Sequence, residues 1–191
     1  APADAVHPDV LLVLAESVID PARLGVSITP DPLPFLHTVE KTFPSGPVVS
    51  PVFGGATANA EFEVLAGAPV AFLPEGSLAY THYVAAPVPT FASKLKSAGY
   101  ATRALHPFHA WFWSREQVYP LLGIDRFEGL EAFEDAEKFG PWVSDDALAD
   151  RLIARLPAAT DPPTFLFALT MGTHGTYLYS LPERRFTLGP G

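Results

Sequence analysis

At 191 residues, 48% of them hydrophobic and with a mean hydropathy of +0.19, the chain can build one packed domain and is too apolar for disorder. Its net charge of -9 argues against a general nucleic-acid surface, and the absence of cysteine excludes a disulfide framework and a thiolate metal site. No apolar run approaches the roughly 20 residues that span a bilayer, and the chain opens on Ala1 with no signal-peptide pattern, so it reads as a processed or excised segment.

Residues 1–8 read as a linker. Residues 9–15 form a short continuous apolar run, as in a strand buried on both faces of a parallel sheet. Glu16 follows at once, at the strand's carboxyl end, where open α/β sheets bind ligands; it is either a capping acid or a site residue. Residues 20–34 are a proline-rich loop. Residues 35–42 can form a short helix that buries Phe35, Leu36 and Val39. Residues 47–52 read as a second strand running into the glycine pair Gly54 and Gly55. Residues 58–66 then read as an alanine-rich helix stopped by Gly67.

Thr57 therefore stands where extended chain hands over to a helix N-terminus. Its hydroxyl would lie among unpaired N–H groups at the positive end of the helix dipole, which suits an anion and helps a hydroxyl ionise. The plainer alternative is an N-cap. Residues 68–89 are irregular, 90–98 a helix stopped by Gly99, and 100–105 a strand. The loop from His106 to Arg115 follows, and Ser114 can cap a helix through Leu122. The acidic run 128–137 reads as a solvated face. Ser144 opens an amphipathic helix with Leu148, Leu152, Ile153 and Leu156 on its buried side. Residues 163–171 are the last strand, leading to His174. The alternation argues for a parallel sheet with helices on both faces, and nothing marks a second domain.

Glu16, Thr57, Arg115 and His174 thus gather on one predicted sheet edge. They offer a carboxylate, a hydroxyl nucleophile, a guanidinium for an oxyanion and an imidazole. A divalent ion touching both Glu16 and Thr57 would lower the hydroxyl pKa. This is equipment for transfer of a phosphoryl-type group through a covalent intermediate. His7, His37 and His82 have no partner at metal-ligand spacing and read as surface or loop residues, whereas His106 and His109 lie on the predicted site edge. Trp113 beside Arg115 reads as a pocket residue rather than a core aromatic.

The sequence resembles the lipoteichoic acid synthase and phosphoglycerol transferase branch of the alkaline phosphatase/sulfatase superfamily. The resemblance rests on residues 8–17 (PDVLLVLAES), 54–67 (GGATANAEFEVLAG), 111–115 (WFWSR) with 122–127 (LGIDRF), and 171–177 (MGTHGTY), which occur in family order. It implies an alkaline-phosphatase-like α/β fold. It implies Glu16 as a metal ligand, Thr57 as nucleophile and metal ligand, and Trp113, Arg115 and His174 lining a glycerol-phosphate pocket. It also implies a manganese or zinc ion, an anionic glycerophospholipid or glycan substrate, double displacement through a phosphoglycerol-threonine intermediate, and a membrane-anchored parent protein with its catalytic domain outside the cytoplasm. The family's Asp-His metal pair is missing: no such dipeptide occurs, and no Asp follows Asp161. The chain is therefore expected to be a truncated, N-terminal part of one such domain, inert alone and prone to self-associate through an open sheet edge. Competing expectations are a sulfatase, phosphodiesterase or phosphoethanolamine transferase of the same superfamily, or a non-catalytic domain binding glycerophosphate or another polyanion. Against a sulfatase, the nucleophile position holds Thr57 and there is no Cys to become formylglycine.

Overall fold

In the computed structural model, residues 7–156, 162–175 and 187–188 are described. In chain order the elements are β1 (Val10–Leu14), β2 (Ile28–Thr29), α1 (Pro34–Thr42), α2 (Thr57–Ala66), α3 (Ala79–His82), α4 (Phe91–Ser97), β3 (Ala101–Leu105), α5 (Arg115–Leu121), β4 (Arg126–Glu128), β5 (Lys138–Phe139), β6 (Trp142–Val143), α6 (Asp145–Ile153), β7 (Thr164–Leu169) and β8 (Thr187–Leu188). They fall into two compact units, residues 1–16 with 50–174 and residues 17–49 with 175–191.

The larger unit is built on a four-stranded sheet in the order β1-β7-β3-β4, parallel throughout. β7 is central because all six of its residues are buried, so it needs cover on both faces. Phe165, Phe167 and Leu169 face a core made with α2, α4 and α5, including Ala58, Leu65, Ala92, Val118 and Tyr119. Leu166 and Ala168 face the other way, into a core with Phe133, Val143, Leu148 and Leu152. Helices therefore cover both faces. Leu14 lies opposite Leu169, and Leu105 opposite Ala168, so three strands end at one level and deliver their loops to one edge.

The helix ends follow their sequence signals. Thr90 and Ser93 form a reciprocal capping box on α4, with bonds of 2.8 and 3.0 Å. The Ser144 hydroxyl accepts the Ala147 N–H to start α6. Gly67 closes α2 in the left-handed conformation.

Four expectations need correction. The strand over 47–52 does not form: Val48 and Val49 are 92% and 91% exposed, and Pro47 and Pro51 each lack the N–H a ladder needs. β1 is not buried on both faces, because it is an edge strand whose Leu11 and Val13 stay about half exposed in an open apolar cleft beside α6. On α6 itself, Leu148 and Leu152 are buried but Ile153 and Leu156 are exposed. Glu128 is not part of a solvated face, since it pairs with Arg155 at 2.6 and 2.7 Å.

In the smaller unit, β2 pairs antiparallel with β8. Asp20 caps a short 3-10 turn, Pro21–Leu24, and Arg23 bonds Glu40 at 2.7 Å. α1 buries none of its residues and leaves Phe35 and Leu36 exposed, against expectation. The His37 ring meets Asp31 at 2.7 Å and Asp20 at 3.4 Å, and the Asp31 hydrogen bond raises its pKa.

Candidate active site

Glu16 is fixed through its backbone. Its N–H donates to Thr170 Oγ1 at 2.8 Å, and the Thr173 hydroxyl donates to its carbonyl. The loop leaving β7 thus brackets the residue leaving β1. The next residue, Ser17, has φ 53°. With the backbone held, the carboxylate meets Thr57, whose hydroxyl donates to Glu16 Oε2 at 3.0 Å.

Thr57 reaches this point without a strand behind it. Gly54, Gly55 and Ala56 have φ of 67°, 144° and 58°, three left-handed positions in a row. Glycine adopts these freely, but for Ala56 the conformation is strained. The Ala56 position is the N-cap and makes no side-chain cap, so Thr57 is the first residue of α2 and not its cap. Asn59 ties the first turn of α2 to the start of α3: its side chain accepts the Ala79 N–H at 2.9 Å and donates to the Ser77 carbonyl at 2.9 Å.

One turn further on, Glu61 lies at the centre of a buried polar network. It is fully buried, and Arg115 is 2% exposed. Arg115 Nη2 donates to Glu61 Oε1 at 2.6 Å, and Nε lies 3.2 Å from both carboxylate oxygens. Tyr119 and Tyr80 donate to Oε2 at 2.7 and 3.3 Å. Burial opposes the charge of Arg115, but Glu61 outweighs it and raises the guanidinium pKa. Both tyrosines are pushed up, by burial first and then by the Glu61 charge. Every group is satisfied, so the network binds α2 to α3 and α5.

Arg115 is therefore not a pocket lining residue here. Its remaining contact is from Nη1 to the Phe112 carbonyl at 3.3 Å, which steadies the turn holding Trp113. Trp113 and Ser114 have φ of 57° and 56°. Ser114 occupies the N-cap position of α5 without a side-chain bond, which corrects its expected capping role. Trp113 is half-buried and packs on the core beside Phe112, at 4.7 Å between ring centroids.

His174 sits in the loop after β7, half-buried. Trp142 Nε1 donates to its carbonyl at 2.8 Å, and the two rings meet edge to face. Asp145, at the start of α6, accepts the Gly172 N–H at 2.9 Å. A Cβ on Gly172 would lie 2.9 Å from that carboxylate oxygen and would push the Asp145 side chain aside. His106, at the end of β3, is buried with Nδ1 3.4 Å from the Leu169 carbonyl. Burial first, and then the Arg115 charge, lower its pKa to about 4 and keep it neutral.

The family model for sulfatases matches residues 8–189. The chain belongs to the sulfatase family. A Rhizobium meliloti protein named for cyclic beta-1,2-glucan modification is 42% identical over 92% of this chain and 27% of its own length. The phosphoglycerol transferase GacH of Streptococcus pyogenes, solved with sn-glycerol-1-phosphate, superposes with a TM-score of 0.83 at 26% identity, covering 96% of this chain and 49% of that one. The lipoteichoic acid synthase LtaP of Listeria monocytogenes has a TM-score of 0.74 at 20% identity, covering 87% and 41%. This sulfatase-family chain therefore has the alkaline-phosphatase-like fold and spans between about a quarter and a half of the length of these relatives.

Within this sulfatase-family site the structure joins Glu16 to Thr57 directly and ties the His174 loop to Glu16 through Thr173. Sequence reasoning missed Glu61, Asp145, Thr170 and Thr173. Glu61 had a usable signal, a carboxylate four residues after Thr57 and so on the same side of α2. Among the described residues, Ser17, Ala56, Trp113 and Ser114 are the non-glycine residues with positive φ, each next to or within two residues of a candidate site residue. Strain of this kind concentrates at functional sites.

Proposed function

We propose that this chain carries the nucleophile side of a site that moves a phosphoglycerol-type group from a lipid or glycan donor. The observation that carries the reading is the 3.0 Å contact of Thr57 Oγ1 with Glu16 at a helix start. Similarity to GacH, solved with sn-glycerol-1-phosphate, supports the group transferred, and the relative named for glucan modification supports a glycan partner.

In this reading Thr57 Oγ1 attacks the donor phosphorus. The P–Oγ1 bond forms as the bond to the donor oxygen breaks, the hydroxyl proton is released to solvent, and the donor oxygen takes a proton from solvent. An acceptor hydroxyl then attacks the same phosphorus and releases its proton to solvent. The P–Oγ1 bond breaks, and Thr57 regains a proton from solvent, with Glu16 orienting its hydroxyl throughout. Trp113 and His174 line the head-group pocket, while Arg115 sets the Trp113 turn from behind.

A divalent ion fits the Glu16–Thr57 pair in part. Oxygens 3.0 Å apart can share an ion at the roughly 2.0–2.4 Å of oxygen ligation. Two ligands are nevertheless fewer than such ions take. Among the described residues no group of three His, Cys, Asp or Glu side chains is placed to hold a metal. Glu16 and Thr57 would hold manganese or zinc together with ligands from elsewhere. Bound there, the ion supplies charge that lowers the hydroxyl pKa and stabilises the transferring group.

We place this chemistry at the cell envelope, outside the cytoplasm, in a membrane-anchored parent protein. No helix among the described residues is long and apolar enough to cross a membrane. The two-ligand site favours one second reading, a non-catalytic domain that holds a glycerophosphate or polyanion.

The test uses a chain of its relatives' full length, incubated with a phosphoglycerol donor and manganese. The peptide containing Thr57 should gain the mass of one phosphoglycerol group, and Thr57→Ala should gain none. Turnover retained by Thr57→Ala removes Thr57 as nucleophile. Head-group binding without any adduct or turnover in that longer chain supports the binding-domain reading.

A further inference from the structure

The opposite edge of the sheet carries a concentration of positive charge that the proposed transfer does not use. Arg103 of β3 and Arg126 of β4 are register partners on adjacent parallel strands. They share the face that bears Leu105, the α6 side of the sheet. Like charges placed side by side on a sheet are destabilising unless something lies between them. Arg155, just past α6, adds a third guanidinium beside them. With Ala101, Glu128 and Thr164 these residues line a cavity of about 800 Å3.

Among the described residues that line the cavity the charge is not balanced: Glu128 supplies one carboxylate against three guanidinium groups. The hydrogen bonds from Arg155 hold its pKa below the ordinary carboxylate range, and both of its oxygens are taken by that arginine. Among the described residues neither Arg103 nor Arg126 has an ion pair or a side-chain hydrogen bond. The imbalance occurs in a chain of net charge -9 with only 12 Lys and Arg residues, so a general excess of basic residues does not explain it.

We propose that this cavity is a binding site for a phosphate-bearing anion, held by Arg103 and Arg126, with Arg155 locked on Glu128 as its wall. Guanidinium pairs suit phosphate because each presents a planar fork that two phosphate oxygens match. The cavity runs along β3 and β4, and Arg103 stands level with Leu166, three residues or roughly 10 Å of strand before Leu169 at the edge carrying Glu16, at about 3.3 Å per residue. It is independent of the Thr57 chemistry, and of whether that chemistry is assigned correctly.

The probe is inorganic pyrophosphate, titrated into the 191-residue chain by calorimetry with EDTA present, and glutarate is run beside it. Saturable single-site binding is expected. Arg103→Gln with Arg126→Gln should weaken it about tenfold or more, since two charge-assisted contacts are lost, while the Lys pair should fall between. Thr57→Ala should leave it unchanged. If the double variant does not fold, Arg126→Gln alone serves, because Arg126 is an exposed residue at the end of an edge strand. The proposal is overturned by an absence of saturable pyrophosphate binding or by binding that the arginine variants leave intact. Equal affinity for glutarate would also overturn it, since the patch would then serve carboxylates, as in a protein contact.

Discussion

Glu61→Ala tests whether Arg115 is a structural cation or a free phosphate ligand. Truncating the carboxylate leaves the Arg115 guanidinium and the Tyr80 and Tyr119 hydroxyls buried without their acceptor. Removing one partner of a buried ion pair costs about 3–5 kcal/mol. A lost acceptor for a buried hydroxyl adds about 1–3 kcal/mol, although the terms overlap. Against a total stability of roughly 5–15 kcal/mol, a loss of about 4–6 kcal/mol is severe. For a domain of this size, 3–5 kcal/mol alone lowers Tm by about 6–20 °C. Urea unfolding followed by tryptophan fluorescence measures the loss, with thermal melts as a check. Glu61→Leu with Arg115→Met should recover most of it, because apolar replacements remove both charges together. A Glu61→Ala midpoint within about 1 kcal/mol of the parent, or an Arg115→Ala variant of undiminished stability, would refute the structural role.

His106 should make stability depend on pH. Its pKa is about 4 when folded against 6.5 for an ordinary histidine, so between these values the unfolded chain binds the extra proton. Stability is then full above about pH 6.5 and falls toward pH 4, by about 3 kcal/mol in all. His106→Asn should flatten the slope of unfolding free energy over that window, and an unchanged slope would exclude His106 as its source. Gly123→Ala should destabilise by about 3 kcal/mol or more. Its φ is 85°, and a Cβ would lie 2.6 Å from the Ser93 Cα, which is backbone and cannot step aside. A normal melting temperature would show that α4 shifts freely. Leu11→Lys and Val13→Lys should reduce self-association in light scattering, because both sit on the open face of edge strand β1 beside the exposed Ile153 and Leu156. A parent chain that is already a clean monomer would dispose of that expectation.

Much of the fold is legible because the signals are local. The box of Thr90 and Ser93, the Gly67 stop, the Ser144 cap and the unbroken apolar run of β7 each sit within a few residues of what they determine. The Glu16–Thr57 contact could be anticipated because a strand end and a glycine turn aim both residues at one edge. Spacing from Thr57 marks Glu61 off from Glu63, but its burial is not a local signal, because it depends on Tyr80 of α3 and on Arg115 and Tyr119 of α5. The strand expected over 47–52 is absent because Pro47 and Pro51, which bracket Val48 and Val49, each lack the N–H of a ladder. The exposure of Ile153 and Leu156 was hidden for another reason: the apolar period of α6 continues past the point where the sheet beneath it ends in uncovered β1.

The place of β1 also sets an order of assembly. It is made well before β7, the strand it pairs with among the described residues. The Asp9 carboxylate meets the Thr164 amide across 155 residues. At about 5–20 residues per second, that partner arrives roughly 8–30 s later. Through that interval the run from Val10 to Leu14 has no ladder and no core, so the strand that aims Glu16 is the one most exposed to holdase capture or misassembly during synthesis. Glu16 and Thr57 can meet in their final geometry only after Thr170 and Thr173 have emerged to clamp the end of that strand.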